Sequence, residues 1–240
     1  MNELLNNKVT IVTGASRGLG QAIARRLAAL GARVVICGRN REDLDRVAEQ
    51  ITRSGGRALA VPTDLGQRSH IDHLVNQTCD HFGPAEILIN NAGVGWYKPL
   101  VEHSPEEIDQ TIAVNLSGLI HTCHAVLPKM IETGSGSIIN IASDLGRRVI
   151  PNMAAYVAAK HGVMGFSGSL MREVKDKGIQ VMTVTPGIID TWFGGGQPGG
   201  REETWSLKPE VVAELVVTML TQPTYVMMDE VAIHPMHQEM

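Results

Sequence analysis

The fold is decided by residues 8–38, which read KVTIVTGASRGLGQAIARRLAALGARVVICG. An apolar run at 8–14 passes through a glycine-containing turn into a segment with apolar residues at helical spacing, and a second apolar run follows at 32–38. Runs that are apolar on both faces suit a parallel sheet that is covered by helices on each side. The stretch therefore predicts a strand–helix–strand unit with a right-handed crossover.

The same alternation continues along the rest of the chain. Further strand-like runs lie at 57–62, 85–90, 136–142 and 179–186, and a weaker one lies at 230–235. Segments with helical spacing separate these runs. We therefore expect residues 1–240 to form a single α/β Rossmann-fold domain, built on a doubly wound parallel sheet of about seven strands with helices on both faces.

Composition and charge narrow the class of protein. The chain has 240 residues, of which 43% are hydrophobic and 19% charged, as is usual for one globular domain. A net charge of −4 with scattered basic residues disfavours nucleic acid and anionic membranes as partners. No apolar run approaches the roughly 20 residues that a membrane helix needs. Because Cys37, Cys79 and Cys123 are too few and too spread for a disulfide framework, we expect reduced core thiols in a soluble, cytoplasmic protein.

A glycine-rich loop follows the first predicted strand. Residues 13–20 read TGASRGLG and lead into the first predicted helix. Gly14, Gly18 and Gly20 permit a tight turn and let a pyrophosphate approach the backbone. The start of the helix offers free N–H groups and a partial positive charge. This placement between a strand and a helix predicts a dinucleotide site.

Other motifs stand in a fixed order after this loop. They are NNAG at 90–93, then Asn115, Ser143, Tyr156 and Lys160, and finally PG at 186–187 with Thr191. Together with the TGxxxGxG spacing of the loop, they resemble the short-chain dehydrogenase/reductase family over roughly residues 8–233. The chain is similar in particular to 3-oxoacyl-acyl-carrier-protein reductases and related carbonyl reductases. The resemblance implies a nicotinamide cofactor and the reversible interconversion of a ketone and an alcohol.

Tyr156 and Lys160 are one helical turn apart, so they share one face of the predicted helix. An ammonium group beside the phenol is expected to lower the pKa of the phenol from its usual value of about 10. The resemblance implies that Tyr156 is the general acid of carbonyl reduction, and that Lys160 lowers its pKa and binds the nicotinamide ribose. It also implies that Ser143 donates a hydrogen bond to the substrate oxygen and that Asn115 holds a water linking Lys160 to solvent.

The end of the second predicted strand indicates which dinucleotide binds. NAD-binding sheets usually carry Asp or Glu there for the ribose 2′-hydroxyl, whereas this chain has Gly38 followed by Arg39. With Arg17 in the glycine-rich loop, two guanidinium groups and no carboxylate favour a 2′-phosphate, and hence NADP(H). The resemblance implies that Asp64 lies beside the adenine ring and that the NNAG segment lines the cofactor cleft. It also implies that the backbone at Ile189 and the hydroxyl of Thr191 bind the nicotinamide carboxamide. The full set of expected cofactor-binding residues is Gly14, Ser16, Arg17, Gly18, Leu19, Gly20, Arg39, Asp64, Leu65, Asn91, Ala92, Gly93, Tyr156, Lys160, Pro186, Gly187, Ile189 and Thr191.

A substrate flap is expected around residues 188–208. A glycine-dense stretch there follows the carboxyl end of a predicted strand, where ligands bind in such sheets, and it carries Trp192, Phe193 and Trp205. The final stretch, from Pro223 onward, lacks the ending that is usual in 3-oxoacyl-acyl-carrier-protein reductases. Both features favour the NADPH-dependent reduction of a small-molecule ketone.

Two alternatives stay open at this point. A 3-oxoacyl-acyl-carrier-protein reductase would need a cationic surface, for which Lys129, Lys177, Arg147 and Arg148 are candidates. A catalytically silent NADP-binding regulatory protein is an alternative of another class, but such a protein has no need of the proton donor Tyr156.

The expected partners are a small-molecule carbonyl substrate and further copies of the chain. In the family the fourth and fifth long helices pair across two-fold axes, so a homotetramer is expected first and a dimer second. No metal site is expected, because the pairs His70/His73 and His121/His124 lack a third ligand in a recognisable pattern. The segment HPMHQEM at the end of the sequence is expected to be a tail of the kind that can reach a neighbouring subunit.

Overall fold

The structure, a computed structural model, describes residues 5–200, 202 and 204–238. Each of the seven predicted apolar runs contains a strand. The strands are β1 (Val9–Thr13), β2 (Arg33–Gly38), β3 (Arg57–Pro62), β4 (Ile87–Asn90), β5 (Gly136–Ile141), β6 (Ile179–Pro186) and β7 (Glu230–Ile233). They form one sheet in the order β3-β2-β1-β4-β5-β6-β7, and every neighbouring pair is parallel. The expected doubly wound parallel sheet is confirmed.

Seven α-helices of the described chain cover the two faces of this sheet. They are α1 (Gly18–Ala29), α2 (Arg41–Arg53), α3 (Arg68–Phe82), α4 (Pro105–Ile112), α5 (Gly118–Thr133), α6 (Ala154–Val174) and α7 (Pro209–Leu220). Side chains of α1, α2 and α7 pack on one face, and those of α3, α5 and α6 pack on the other, so each face has its own apolar core. Both faces of the central strands are therefore buried, as the continuous apolar runs predict.

Short-range signals set the ends of several helices. The side chain of Asn40 accepts a hydrogen bond from Asp43 N at the start of α2, and Ser104 forms a capping box with Glu107 at the start of α4. Gly134, with φ of 65°, ends α5 in the left-handed conformation that glycine adopts at little cost. These caps fix where the loops begin, and hence which residues reach the edge of the sheet.

The topology brings the predicted motifs to one edge. The strand order reverses between β1 and β4, and open parallel sheets bind ligands outside the carboxyl ends of the strands at this point. The glycine-rich loop follows β1, residues 91–93 follow β4, Ser143 follows β5, and residues 187–191 follow β6. Residues that are far apart in the sequence therefore share one crevice.

Two further expectations concern the cysteines and the membrane. Cys37 and Cys123 are buried and unpaired, and burial raises the pKa of both thiols to about 12. Cys79 is also unpaired but only half-buried, so the expectation of a core thiol holds for two of the three. Within the described ranges, no helix combines the length and the apolar character that crossing a bilayer requires.

Candidate active site

A cavity of about 770 Å³ opens at the carboxyl edge of the sheet. It is lined by every residue expected to bind the cofactor, and by Ser143. Asn115 does not line it, but its Nδ2 donates a hydrogen bond of 2.7 Å to the carbonyl of Val94, which does. The sequence-predicted site residues thus come together around one cavity.

The glycine-rich loop forms a cradle that leaves no room for side chains. Gly14 and Gly18 have φ of 65° and 57°, in the region that favours glycine. A Cβ on Gly14 would lie 2.7 Å from Ala92 Cα, and one on Gly20 would lie 2.5 Å from Asn91 Nδ2. The first turn of α1 carries no acidic residue and no side-chain cap, so its N–H groups face the cavity unpaired by side chains. These features fit the pyrophosphate of a dinucleotide.

The NNAG segment is fastened to this cradle by hydrogen bonds. The Oγ1 of Thr13 accepts from the backbone N–H groups of Asn91 and Ala92, each at 3.0 Å. The side-chain amide of Asn91 in turn donates to the carbonyl of Thr13 at 2.9 Å. The two loops therefore keep their separation, which sets the width of the crevice between β1 and β4.

The far end of the cavity is positively charged. Arg17 and Arg39 both line it, and within the part of the chain that the structure describes neither forms an ion pair with an acid. Gly38 contributes no side chain, and a Cβ there would lie 3.6 Å from the hydroxyl of Ser16. Two guanidinium groups and a hydroxyl therefore face this end, an arrangement that suits a phosphate.

Asp64 lies at the same end but is held by its own loop. Its Oδ1 accepts a hydrogen bond of 3.0 Å from Gly66 N, and its backbone N–H donates to His70 Nδ1 at 3.3 Å. His70 thus has a structural partner. Among the described residues no group of three or more His, Cys, Asp and Glu side chains is placed to hold a metal ion.

Ser143, Tyr156 and Lys160 meet at the other end of the cavity. Tyr156 and Lys160 lie one turn apart on α6, and all three side chains are buried. The Ser143 hydroxyl lies near that of Tyr156 and favours its ionised form. The Nζ of Lys160 lies 5.6 Å from the centre of the Tyr156 ring and donates a hydrogen bond of 2.9 Å to the carbonyl of Ile141. A phenol, a hydroxyl and an ammonium group, all buried, are thus assembled at this end of the cavity.

Asn115 stands behind this group in a π-helical turn, Ala113–Ser117, that joins α4 to α5. Turns of this kind are frequent at functional sites. Its Nδ2 donates to the carbonyls of Val94 and Thr111, at 2.7 and 2.9 Å. Its buried Oδ1 has no partner among the described residues, which makes it an acceptor available to a relay.

Comparison with known proteins agrees with this geometry. A model described as short chain dehydrogenase matches residues 8–197. The chain belongs to this family of oxidoreductases. An uncharacterized oxidoreductase of Staphylococcus epidermidis is 36% identical over 231 residues, which cover 96% of this chain and 98% of that protein.

Three solved structures resemble this short-chain dehydrogenase. A metagenomic short-chain oxidoreductase in complex with NADP has a TM-score of 0.86 and 36% identity, over 97% of this chain and 98% of the other. An alcohol dehydrogenase of the archaeon Thermococcus sibiricus, complexed with 5-hydroxy-NADP, has a TM-score of 0.91 and 32% identity, over 97% of this chain and 98% of the other. A variant actinorhodin polyketide ketoreductase with NADPH has a TM-score of 0.87 and 30% identity, over 98% of both chains.

The segment of this short-chain dehydrogenase that is expected to be a substrate flap, around residues 188–208, has paired backbone ends. Asp190 N donates to Leu207 O and Leu207 N donates to Ile188 O, at 2.9 and 2.8 Å, so the segment between them is a loop with paired ends. No hydrogen bond among the described residues engages Ile189 N, which lies in the cavity wall. The Trp192 ring lies 5.8 Å from the Arg17 guanidinium, and the Phe193 ring lies 5.1 Å from that of Tyr156. Trp192 and Phe193 therefore lie beside residues at the two ends of the cavity.

The pKa of Tyr156 does not lie below its usual value in this structure, contrary to the expectation, because burial is the largest influence on it. Burial raises the pKa of Tyr156 well above its usual range, the Ser143 hydroxyl offsets this in part, and the negative charge of Asp144 adds to it. The ammonium group of Lys160 donates to the Ile141 carbonyl instead of to the phenol, and burial lowers the pKa of Lys160 to about 8. Tyr156 is therefore protonated at neutral pH.

Sequence reasoning missed three residues of the site. Thr13 and Asp144 adjoin predicted residues, and their spacing could have drawn attention to them. Gln238 lies in the supposed tail, yet its side chain lines the cavity and bonds Ile188, 50 residues away along the chain. No motif marks it, because the contact depends on how β7 is placed in the sheet.

Proposed function

We propose that this chain is an NADPH-dependent reductase that converts a ketone to a secondary alcohol, with Tyr156 as the proton donor. The observation that carries the proposal is one cavity with a glycine cradle and two arginines at one end and the buried Ser143, Tyr156 and Lys160 at the other. The three resembling structures support it, since they are complexed with NADP, 5-hydroxy-NADP or NADPH.

The residues of the cavity divide the binding of the dinucleotide among them. The N–H groups at the start of α1 bind the pyrophosphate. Because Gly14, close against Ala92, has no side chain, the pyrophosphate can approach the backbone of the loop. Arg17 and Arg39 pair with the 2′-phosphate. The N–H of Ile189, which has no partner among the described residues, takes the carboxamide of the nicotinamide. When bound, NADPH supplies the hydride that reduces the carbonyl carbon.

Proton transfer falls to the buried hydroxyls. On binding of the ketone, the Ser143 hydroxyl turns from Asp144 Oδ1, to which it donates at 3.0 Å, to the carbonyl oxygen, where it stabilises the charge that develops. Tyr156, which burial keeps protonated, gives its proton to that oxygen as the alcohol forms. The ammonium of Lys160, 5.6 Å from the ring, stabilises the phenolate that remains. The Oδ1 of Asn115, which has no partner in the described part of the chain, suits a water-mediated path by which the proton is replaced.

The structure favours a small ketone over an acyl-carrier substrate. Lys129 near the end of α5 and Lys177 just before β6 lie at the amino edge of the sheet, opposite the cavity, because parallel strands begin at one edge and end at the other. Lys129 also pairs with Glu132 at 2.6 Å, and Arg147 pairs with Glu230. Of the four candidate cations, Arg148 alone lines the cavity, where it lies 3.6 Å from Asp144, so the four do not form one patch for the acidic helix of a carrier.

Assembly is proposed from the family pattern. We expect a cytoplasmic homotetramer in which α5 and α6 pair with their symmetry mates, with a dimer as the second possibility. Val149 is 75% exposed, and an apolar hollow beside it is lined by Ile150, Ala154 and Val157 on or next to α6. Light scattering during gel filtration measures the molar mass, and a monomer at micromolar concentration would contradict this expectation.

The test of the proposed function is NADPH oxidation with a panel of ketones. Wild type should reduce small diketones faster than acetoacetyl thioesters, and Tyr156→Phe should lose about 10²- to 10⁴-fold in kcat while binding NADPH as wild type does. Tyr225→Phe is the matched control, since Tyr225 is 89% exposed and far from this chemistry. If wild type and Tyr156→Phe bound NADPH and were equally inert, the protein would be a regulatory NADP-binding protein instead. A preference for acetoacetyl thioesters would favour the acyl-carrier alternative.

A further inference from the structure

The segment that follows β7 folds back over the cavity of its own chain. The Oε1 of Gln238 accepts a hydrogen bond of 2.7 Å from Ile188 N, and its Nε2 donates one of 2.6 Å to Asp144 Oδ2. The neighbouring His237 donates through its backbone N–H to Thr204 O at 3.0 Å, and its ring packs against Trp205 at 5.7 Å. Gln238 thus touches the root of the flap and the loop after β5 at once.

Asp144 connects Gln238 to the catalytic hydroxyls. Its side chain is 10% exposed, and its Oδ1 accepts a hydrogen bond of 3.0 Å from Ser143 Oγ. Ser143 Oγ in turn accepts from Leu145 N at 3.2 Å, and its hydroxyl acts on the ionisation of Tyr156. The direction of the Ser143 O–H therefore depends on where the Asp144 carboxylate is held.

Gly187 makes the approach of Gln238 possible. A Cβ at this position would collide with Gln238 Oε1 and would lie 2.9 Å from His234 Cδ2. Gly187 does not have a positive φ, so the lack of a side chain serves this close contact and not an unusual backbone. The proline–glycine pair after β6 therefore serves the segment after β7 as well as the cavity.

We propose that Gln238 is a positioning residue of the active site: it ties Ile188 to Asp144 and so sets where the Asp144 carboxylate holds the Ser143 hydroxyl before that hydroxyl turns to the carbonyl oxygen. This inference rests on the proposed function, because it assigns Ser143 to the carbonyl oxygen. A glutamine suits the place because Ile188 N needs an acceptor while the Asp144 carboxylate needs a donor, and a neutral amide supplies both.

Two substitutions separate the two bonds. Gln238→Glu keeps an acceptor for Ile188 N but sets a second carboxylate against Asp144, which raises the pKa of the pair. Gln238→Met keeps the length of the side chain and removes both bonds. Met236→Glu is the matched control, since Met236 is 89% exposed and the substitution adds the same charge to the same segment. The other charged or titratable groups around the contact are Arg148, which lies 3.6 Å from Asp144, and Tyr156, His234 and His237.

The expected result is a pH-dependent defect in Gln238→Glu alone. At about pH 8 its kcat should be about tenfold below that of wild type. At about pH 5.5 it should come within about threefold of wild type, because a proton shared between the new carboxylate and Asp144 restores the hydrogen bond to Asp144. Its affinity for NADPH should change by less than about threefold. Gln238→Met should lose a similar factor in kcat at both pH values, and hydrogen exchange at Ile188 should become faster. Met236→Glu should follow wild type throughout.

Stability gives a readout that needs no substrate. The folded-state pKa of the new carboxyl pair lies above its unfolded value, so Gln238→Glu should lose thermal stability relative to wild type as pH rises from about 5.5 to about 8. A gap in Tm and a kcat ratio that are both independent of pH would overturn the proposal, as would unchanged exchange at Ile188 in Gln238→Met. If wild type reduced no ketone, the proposed function would fail. The Tm gap and the exchange rate would then still decide whether Gln238 makes these two bonds.

Discussion

Replacing Lys160 with methionine should abolish reduction and yet make the protein more stable. Lys160 is 3% exposed, and its ammonium group has one hydrogen-bond partner among the described side chains and backbone groups, the carbonyl of Ile141. No acid is paired with it in the described structure. Burying this charge costs folding free energy, and under the proposed function the charge is retained because it stabilises the phenolate of Tyr156.

The size of the effect follows from the pKa of Lys160, which burial lowers from 10.5 to about 8. That lowering corresponds to about 3 kcal/mol at neutral pH. Methionine leaves the Ile141 carbonyl without its donor, which offsets about 1 kcal/mol. The net gain of about 2 kcal/mol corresponds to a rise in Tm of about 4 to 8 °C for a chain of this length.

The sign of the pH dependence is a sharper test than the gain itself. Between the folded pKa of about 8 and the unfolded value of 10.5, the unfolded chain holds the proton that the folded chain has lost, so wild type gains stability as pH rises. The advantage of Lys160→Met should therefore be full below about pH 8 and should shrink toward about pH 10.

Urea unfolding of the protein without nucleotide, at about pH 7 and about pH 9.5, measures this advantage. Lys177→Met is the control, since Lys177 lies on an exposed turn and should change the unfolding free energy by less than about 0.5 kcal/mol. A Lys160→Met variant that is less stable than wild type at neutral pH, or an advantage that does not shrink with pH, would refute the reasoning.

Three other outcomes are expected. The kcat of reduction should fall above about pH 8 as Lys160 loses its proton and no longer stabilises the phenolate of Tyr156; a rate that stays level to about pH 9.5 would contradict this role. Arg39→Asp should shift the ratio of kcat/KM for NADPH over NADH toward NADH by about 10- to 100-fold, whereas Arg25→Asp on the exposed side of α1 should leave it unchanged; equal ratios in both variants would discredit the 2′-phosphate site. Gly20→Ala should weaken NADPH binding by at least about tenfold in titration calorimetry, because its Cβ would lie 2.5 Å from the side chain of Asn91. Wild-type affinity would instead show that the glycine-rich loop can shift to accommodate the methyl group.

Much of the fold could be predicted because its signals are local. The apolar runs at 8–14 and 32–38 and the glycine-containing loop between them each specify a piece of backbone without reference to the rest of the chain. The right-handed crossover rule then leaves few ways to join such pieces into a sheet. Parallel strands place their carboxyl ends at one edge, so the positions of the NNAG segment and of Ser143 follow as well.

The amino-acid sequence by itself determined the doubly wound sheet, the glycine cradle and the i, i+4 pairing of Tyr156 with Lys160. Only the tertiary structure decided that burial raises the pKa of Tyr156, that Lys160 turns to the carbonyl of Ile141, and that the segment after β7 returns to the cavity. The physical reason is the distance along the chain over which each effect acts. Periodicity and short motifs act over a few residues, whereas desolvation depends on everything packed around a group. The bond between Gln238 and Ile188 likewise exists only because the last strand ends beside the sixth.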